Sequence, residues 1–174
     1  MASISSSLSS PTAAPPARRA VPGWLAWLGF VVLCNGAGIL SALVGTDPSL
    51  YAVLERPSWS PPGWLFGPVW TALYTMMGTA TYLVWRRTEG RPRRQAMTVF
   101  GVQLALNVSW TPVFFGLQRP GLALIVIGAV LAAVIAMMIV YGRRVRTAGL
   151  LIAPLAAWVG FASALNAAIW WLNR

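Results

Sequence analysis

Apolar residues in this 174-residue chain gather into five runs, separated by short segments that hold nearly all of the charge. The runs cover about residues 24–44, 64–85, 96–117, 122–141 and 150–172. Each is about 20 residues long, enough for an α-helix to cross the hydrocarbon layer of a membrane. Asp, Glu, Lys and Arg are absent from all five. A segment in lipid must satisfy its backbone N–H and C=O groups internally, which makes helix the natural state of each run. The pattern predicts an all-α integral membrane protein, a bundle of five transmembrane helices over residues 23–174.

Composition supports a lipid solvent. Hydrophobic residues make up 57% and charged residues 9% of the chain, against about a quarter charged in an ordinary soluble domain. The formal charge of +10 comes from thirteen arginines and three acids. The arginines stand between the apolar runs rather than along a helix face, so they read as topology signals and not as a nucleic-acid surface. With alternating spans, Arg18, Arg19, Arg86, Arg87, Arg91, Arg93, Arg94, Arg143, Arg144 and Arg146 fall on one side, and only Arg56, Arg119 and Arg174 on the other. That asymmetry predicts an N-terminus inside and a C-terminus outside in a bacterial cell membrane.

Residues 1–22 are rich in Ser, Ala and Pro and hold no acid, which predicts a disordered leader. Arg18 and Arg19 ahead of an apolar run resemble the start of a signal peptide. The run is long for one, so an uncleaved first helix is expected, with an organelle transit peptide and organelle membrane as the alternative. The segment between the first two runs, residues 45–63, carries Asp47, Glu55, Arg56 and four prolines. Its length and stiffness suggest a formed lid, a plain surface connection being the alternative.

Helical spacing sorts the spans into faces. Gln103, Asn107, Trp110 and Phe114 share one face of the third span. Amides are costly in lipid without partners, so this face should look inward. Gly101, Ala105 and Ser109 lie nearly opposite, and Gly128, Ala132 and Ala136 form a second stripe on the fourth span. Small residues allow close helix approach, either within the monomer or in a homodimer. On the fifth span Trp158, Ala162, Leu165 and Ile169 share a face bordered by Asn166; on the second, Phe66, Trp70, Leu73 and Met77 do. Trp24, Trp27, Trp85, Trp170 and Trp171 sit near helix ends and read as interfacial anchors. Pro68, Pro112 and Pro154 are expected to interrupt their spans.

Three segments carry a family resemblance: ERPSWSPPGWLFGPVW at 55–70, QLALNVSWTPVFFG at 103–116 and PLAAWVGFASALNAAIWWLN at 154–173. Together, in order and over about residues 24–174, they resemble the proline- and tryptophan-rich signature of the TspO/MBR (tryptophan-rich sensory protein / translocator protein) family. The resemblance implies a five-helix bundle, often dimeric, that binds porphyrins such as protoporphyrin IX and synthetic isoquinoline or benzodiazepine ligands between the helices beneath the first loop. Animal members bind cholesterol, some bacterial members promote light-dependent porphyrin breakdown, and others act in tetrapyrrole-linked regulation. Trp70 and Trp158 match tryptophans of the family's porphyrin site, and Tyr51, Pro61, Asn107 and Ala162 match pocket-lining positions. The expected ligand-binding set is therefore Tyr51, Pro61, Phe66, Trp70, Gln103, Asn107, Trp110, Phe114, Trp158, Ala162 and Leu165.

Absences narrow the chemistry. With no histidine and the single cysteine Cys34, the chain cannot build a His/Cys metal site, a usual haem axial ligand, or a serine–histidine or cysteine–histidine pair. No obligatory cofactor is expected, and a metal-free porphyrin such as protoporphyrin IX, or a related tetrapyrrole ligated only weakly, fits better as ligand than a haem. The primary expectation is a tetrapyrrole receptor that contributes to transport or regulation. Light-dependent degradation at Trp70 and Trp158, or a sterol/lipid-binding translocator, are the alternatives. Ala167 and Trp171 stand where the animal cholesterol motif has tyrosine and arginine, which weighs against a sterol.

Overall fold

A computed structural model describes residues 22–45 and 53–174. The leader expected over residues 1–22 lies, but for Pro22, outside the described residues, as do Asp47, Pro48 and Tyr51 of the first loop. The described chain forms helices α1 (Gly23–Gly45), α2 (Phe66–Arg87), α3 (Gly90–Thr111), α4 (Pro120–Gly142) and α5 (Arg146–Leu172), with a 3-10 turn at Gly63–Leu65. The all-α bundle read from the apolar runs is thus the observed architecture. The helices close a ring in the order α1–α2–α5–α4–α3, and α2 also touches α3 across the middle. Met77, Val84, Val134, Met137, Tyr141, Ile152 and Leu155 fill the centre.

Among the described residues, four helical segments are long and apolar enough to cross a membrane: α1, α3 with the turn after it, α4 and α5. The 22-residue α2 is as long as α3 and carries four threonines within its apolar run. These are made compatible with an apolar surrounding by local bonding. The hydroxyls of Thr71, Thr75, Thr79 and Thr81 donate to the carbonyls of Gly67, Thr71, Thr75 and Met77 over 2.8–2.9 Å, so each polar group returns to its own helix.

Of the three prolines expected to interrupt spans, only Pro154 stands inside a continuous helix. Pro68 is the third residue of α2. Residues of a first turn have no intrahelical acceptor for their N–H, so Pro68 interrupts nothing. Pro112 ends α3 and opens a π turn over Pro112–Gly116, closed by Leu117 N–H donating to Pro112 O at 2.9 Å. The wider turn swings Phe114 inward, where it is 2% exposed.

Both small-residue stripes face outward. Gly101, Ala105, Gly128, Ala132 and Ala136 are exposed, and Ser109 is half-buried, so packing among the described residues leaves all but Ser109 uncovered. Close approach occurs elsewhere. A Cβ on Gly78 would lie 2.8 Å from Val31 Cα, and one on Gly149 would lie 2.6 Å from Gly142 Cα. Glycine at these two positions lets α1 meet α2, and α4 meet α5, backbone to backbone.

Candidate functional site

The arginines of residues 86–94 and 143–146 crowd one end of the bundle, at the α2–α3 and α4–α5 connections. The other half holds a cavity of about 520 Å³ between α1, α2, α3, the π turn and α5. That volume lies within the range of small-molecule sites.

Each wall reflects helical spacing. Phe66, Trp70 and Tyr74 stand at successive turns of α2, and Asn107, Trp110 and Thr111 come from α3. The π turn adds Phe114 and Phe115, while α5 contributes Ala162, Leu165, Asn166 and Ile169. The first helix supplies Asn35, Gly38, Ile39 and Ala42, at offsets that trace one helical face. No lining residue is an arginine, lysine or carboxylate.

The aromatic walls are mutually braced. Trp70 stacks on Tyr74 with ring centroids 5.3 Å apart, and Trp110 lies 5.1 Å from Phe114. Trp110 Nε1–H donates to Asn166 Oδ1 at 3.1 Å, and Asn166 Nδ2–H donates to Pro120 O at 2.9 Å. An indole N–H taken partly out of water gains from such a partner. Here it ties α3 to α5 and to the start of α4, which fixes the plane of Trp110 against the cavity. Asn35 donates to Val31 O and to Thr75 Oγ1, pinning α1 to α2 at the cavity edge. The buried Nδ2 of Asn107 has no hydrogen-bond partner. A donor without an acceptor is costly in so apolar a place, and it is available to a ligand's acceptor atom.

The structure brings together seven of the residues expected from sequence: Phe66, Trp70, Asn107, Trp110, Phe114, Ala162 and Leu165. Trp158 is not on the wall. Its ring packs edge-on against Phe66 at 5.9 Å and tilts on Phe161 at 5.5 Å, so it supports a wall residue from outside. Gln103 is fully buried, one turn from Asn107 and off the wall, and both of its amide atoms lack partners. Pro61 belongs to a second, open cavity formed by the first loop, and Tyr51 lies outside the described residues. Helical spacing on the other spans does not reveal the contribution of α1. Its signal is Asn35, a polar residue in an apolar run, with Gly38 and Ala42 after it at helical spacing.

The first loop is fastened across this end. Leu54 packs into the cluster of Phe114, Leu165 and Ile169, and Trp59 meets Phe161 edge-on at 5.8 Å. Glu55 is held by the side chain of Asn173 through both of its backbone groups.

The sequence model of the TspO/MBR family matches residues 30–172. The chain belongs to the TspO/MBR family. Its TspO/MBR relatives include the tryptophan-rich protein TspO of Chlorobaculum tepidum, 38% identical over 81% of this chain and 91% of that protein. The human translocator protein is 36% identical over 86% of this chain and 90% of its own length. The tryptophan-rich sensory protein of Cereibacter sphaeroides is 36% identical, over 82% and 88%. Family and apolar helices together make this TspO/MBR chain a multi-pass membrane protein.

Proposed function

We propose that this protein is a membrane receptor for tetrapyrroles, with protoporphyrin IX as the model ligand, and that it contributes to their transport or to regulation of their metabolism. One observation carries the reading: an aromatic cavity without charge, walled by Trp70, Tyr74, Trp110 and Phe114, inside a membrane bundle. A flat, apolar macrocycle gains from stacking on such rings about 0.5–1.5 kcal/mol per pair beyond area burial. The unpartnered Asn107 amide offers one polar contact to an uncharged acceptor. The names of the relatives, translocator protein and sensory protein, fit a carrier or signalling role.

The reading places the protein in a bacterial cell membrane with its N-terminus inside, the arginine-rich end facing the cytoplasm. The cavity then lies in the outer half of the bilayer. The outward stripes of small residues are its candidate homodimer contacts. Titration of the purified protein with protoporphyrin IX, monitored by tryptophan quenching and by the porphyrin absorption band, tests the reading. Saturable binding weakened by Trp70→Phe is expected. Absence of saturable binding by the intact protein contradicts it.

A further inference from the structure

A tetrapyrrole such as protoporphyrin IX has an apolar disc and two carboxylates, and the main cavity accommodates only the disc. None of its lining residues is cationic, and a carboxylate enclosed there loses its hydration without an ion partner. The carboxylates must therefore leave the cavity at its mouth.

The first loop builds a second cavity of about 450 Å³, walled by Arg56, Ser58, Ser60, Pro61 and Pro62 among others. It adjoins the first along the chain: Pro62 lines the loop cavity, and the next residue, Gly63, lines the main one. Its polar side chains are a guanidinium and two hydroxyls. The Ser60 Oγ is buried and has no hydrogen-bond partner. Its backbone is set by a turn in which Ser60 N–H donates to Pro57 O at 3.0 Å, and prolines on both sides restrict the chain further. An unsatisfied buried hydroxyl held in a rigid turn beside an arginine is a preorganised place for an anionic oxygen. The guanidinium has five N–H donors, enough for a carboxylate alongside another partner. Neither Arg119 nor Arg174 lines either cavity, and Arg174 lies over the Trp171 ring, 3.1 Å from its centroid.

We propose that the loop cavity is the carboxylate subsite of the ligand site, with Arg56 and Ser60 holding a propionate of a tetrapyrrole whose disc lies between Trp70 and Trp110. The inference rests on the proposed tetrapyrrole reading and adds what selects among apolar discs: a ligand with an acidic edge is preferred to its neutral counterpart.

The test compares protoporphyrin IX with its dimethyl ester, titrated into the full-length protein in lipid nanodiscs. The wild type is expected to bind the diacid roughly tenfold or more tightly, as one charge-assisted contact implies. Arg56→Ala combined with Ser60→Ala should lower diacid affinity to that of the ester and leave ester affinity unchanged, which also shows that the variant is folded. Arg56→Lys should retain part of the preference. Equal affinity of the wild type for both compounds overturns the subsite while leaving the receptor reading intact. Equal loss of both in the double variant also overturns it. Binding of neither compound by the wild type overturns the receptor reading and the subsite with it.

Discussion

The side chain of Asn173, at the end of α5, grips the backbone of Glu55 in the first loop from both sides. Glu55 N–H donates to Asn173 Oδ1 at 3.0 Å, and Asn173 Nδ2–H donates to Glu55 O at 2.9 Å. The same Nδ2 also donates to Ile169 O at 2.8 Å. These residues are 118 positions apart, so one amide fastens the loop over the cavity to the far end of the chain. Exposed hydrogen bonds contribute modestly, about 0.5–1.5 kcal/mol each, so this fastening is a weak one.

Asn173→Ala removes both bonds to Glu55, and the one to Ile169 O, without changing a side chain of the cavity wall. Protoporphyrin IX should dissociate several-fold faster, as read by stopped-flow displacement, while the midpoint of thermal unfolding moves by only a few degrees for a loss of about 1 kcal/mol. An unchanged dissociation rate means that the loop does not govern release.

Trp110 and Asn166 set a different kind of expectation. Asn166 accepts from the indole and donates to Pro120 O inside the bundle. Asn166→Leu leaves the partly buried indole N–H of Trp110 without its acceptor and removes one of the contacts to Pro120 O, at a cost of about 1–3 kcal/mol for the orphaned donor. The variant should unfold at clearly lower temperature in detergent and bind porphyrin more weakly, because Trp110 loses its fixed plane. Thermal melts of the two proteins check this.

The glycines separate internal from external helix faces. Gly149→Ala pushes a methyl into the backbone of Gly142, and a packed backbone cannot move aside as a flexible side chain can. Gly101→Ala meets nothing within 4 Å. The first should lower thermal stability and yield of folded protein; the second should leave the stability of the monomer unchanged. Equal effects contradict the assigned packing.

Much of this architecture is legible because the membrane makes hydrophobic length a direct readout of helix. The charge-free runs locate all five helices. The Gln103–Phe114 face points inward because amides cannot remain in lipid unaided. The sequence is less informative where the outcome depends on a neighbour. Trp158 shares a face with Ala162, yet Phe66 comes between it and the cavity, and periodicity along one helix does not reveal which residue of another stands in front. Pro112 marks the place where a regular helix stops, but proline alone does not specify the π turn that continues the chain there. The contribution of α1 is hidden because Gly38 and Ala42 look like ordinary span residues until Tyr74 is seen packed against the first of them.

A tetrapyrrole bound in the cavity between α1, α2, α3 and α5 would lie against Ala162. Ala162 is a small wall residue, 9% exposed, and Ala162→Phe would fill part of the space from within. Isothermal titration of that variant with protoporphyrin IX, after a thermal melt has shown it folded, is the most direct measurement. Binding in this cavity predicts at least a tenfold loss of affinity, about 1.4 kcal/mol. Wild-type affinity in the folded variant would contradict it.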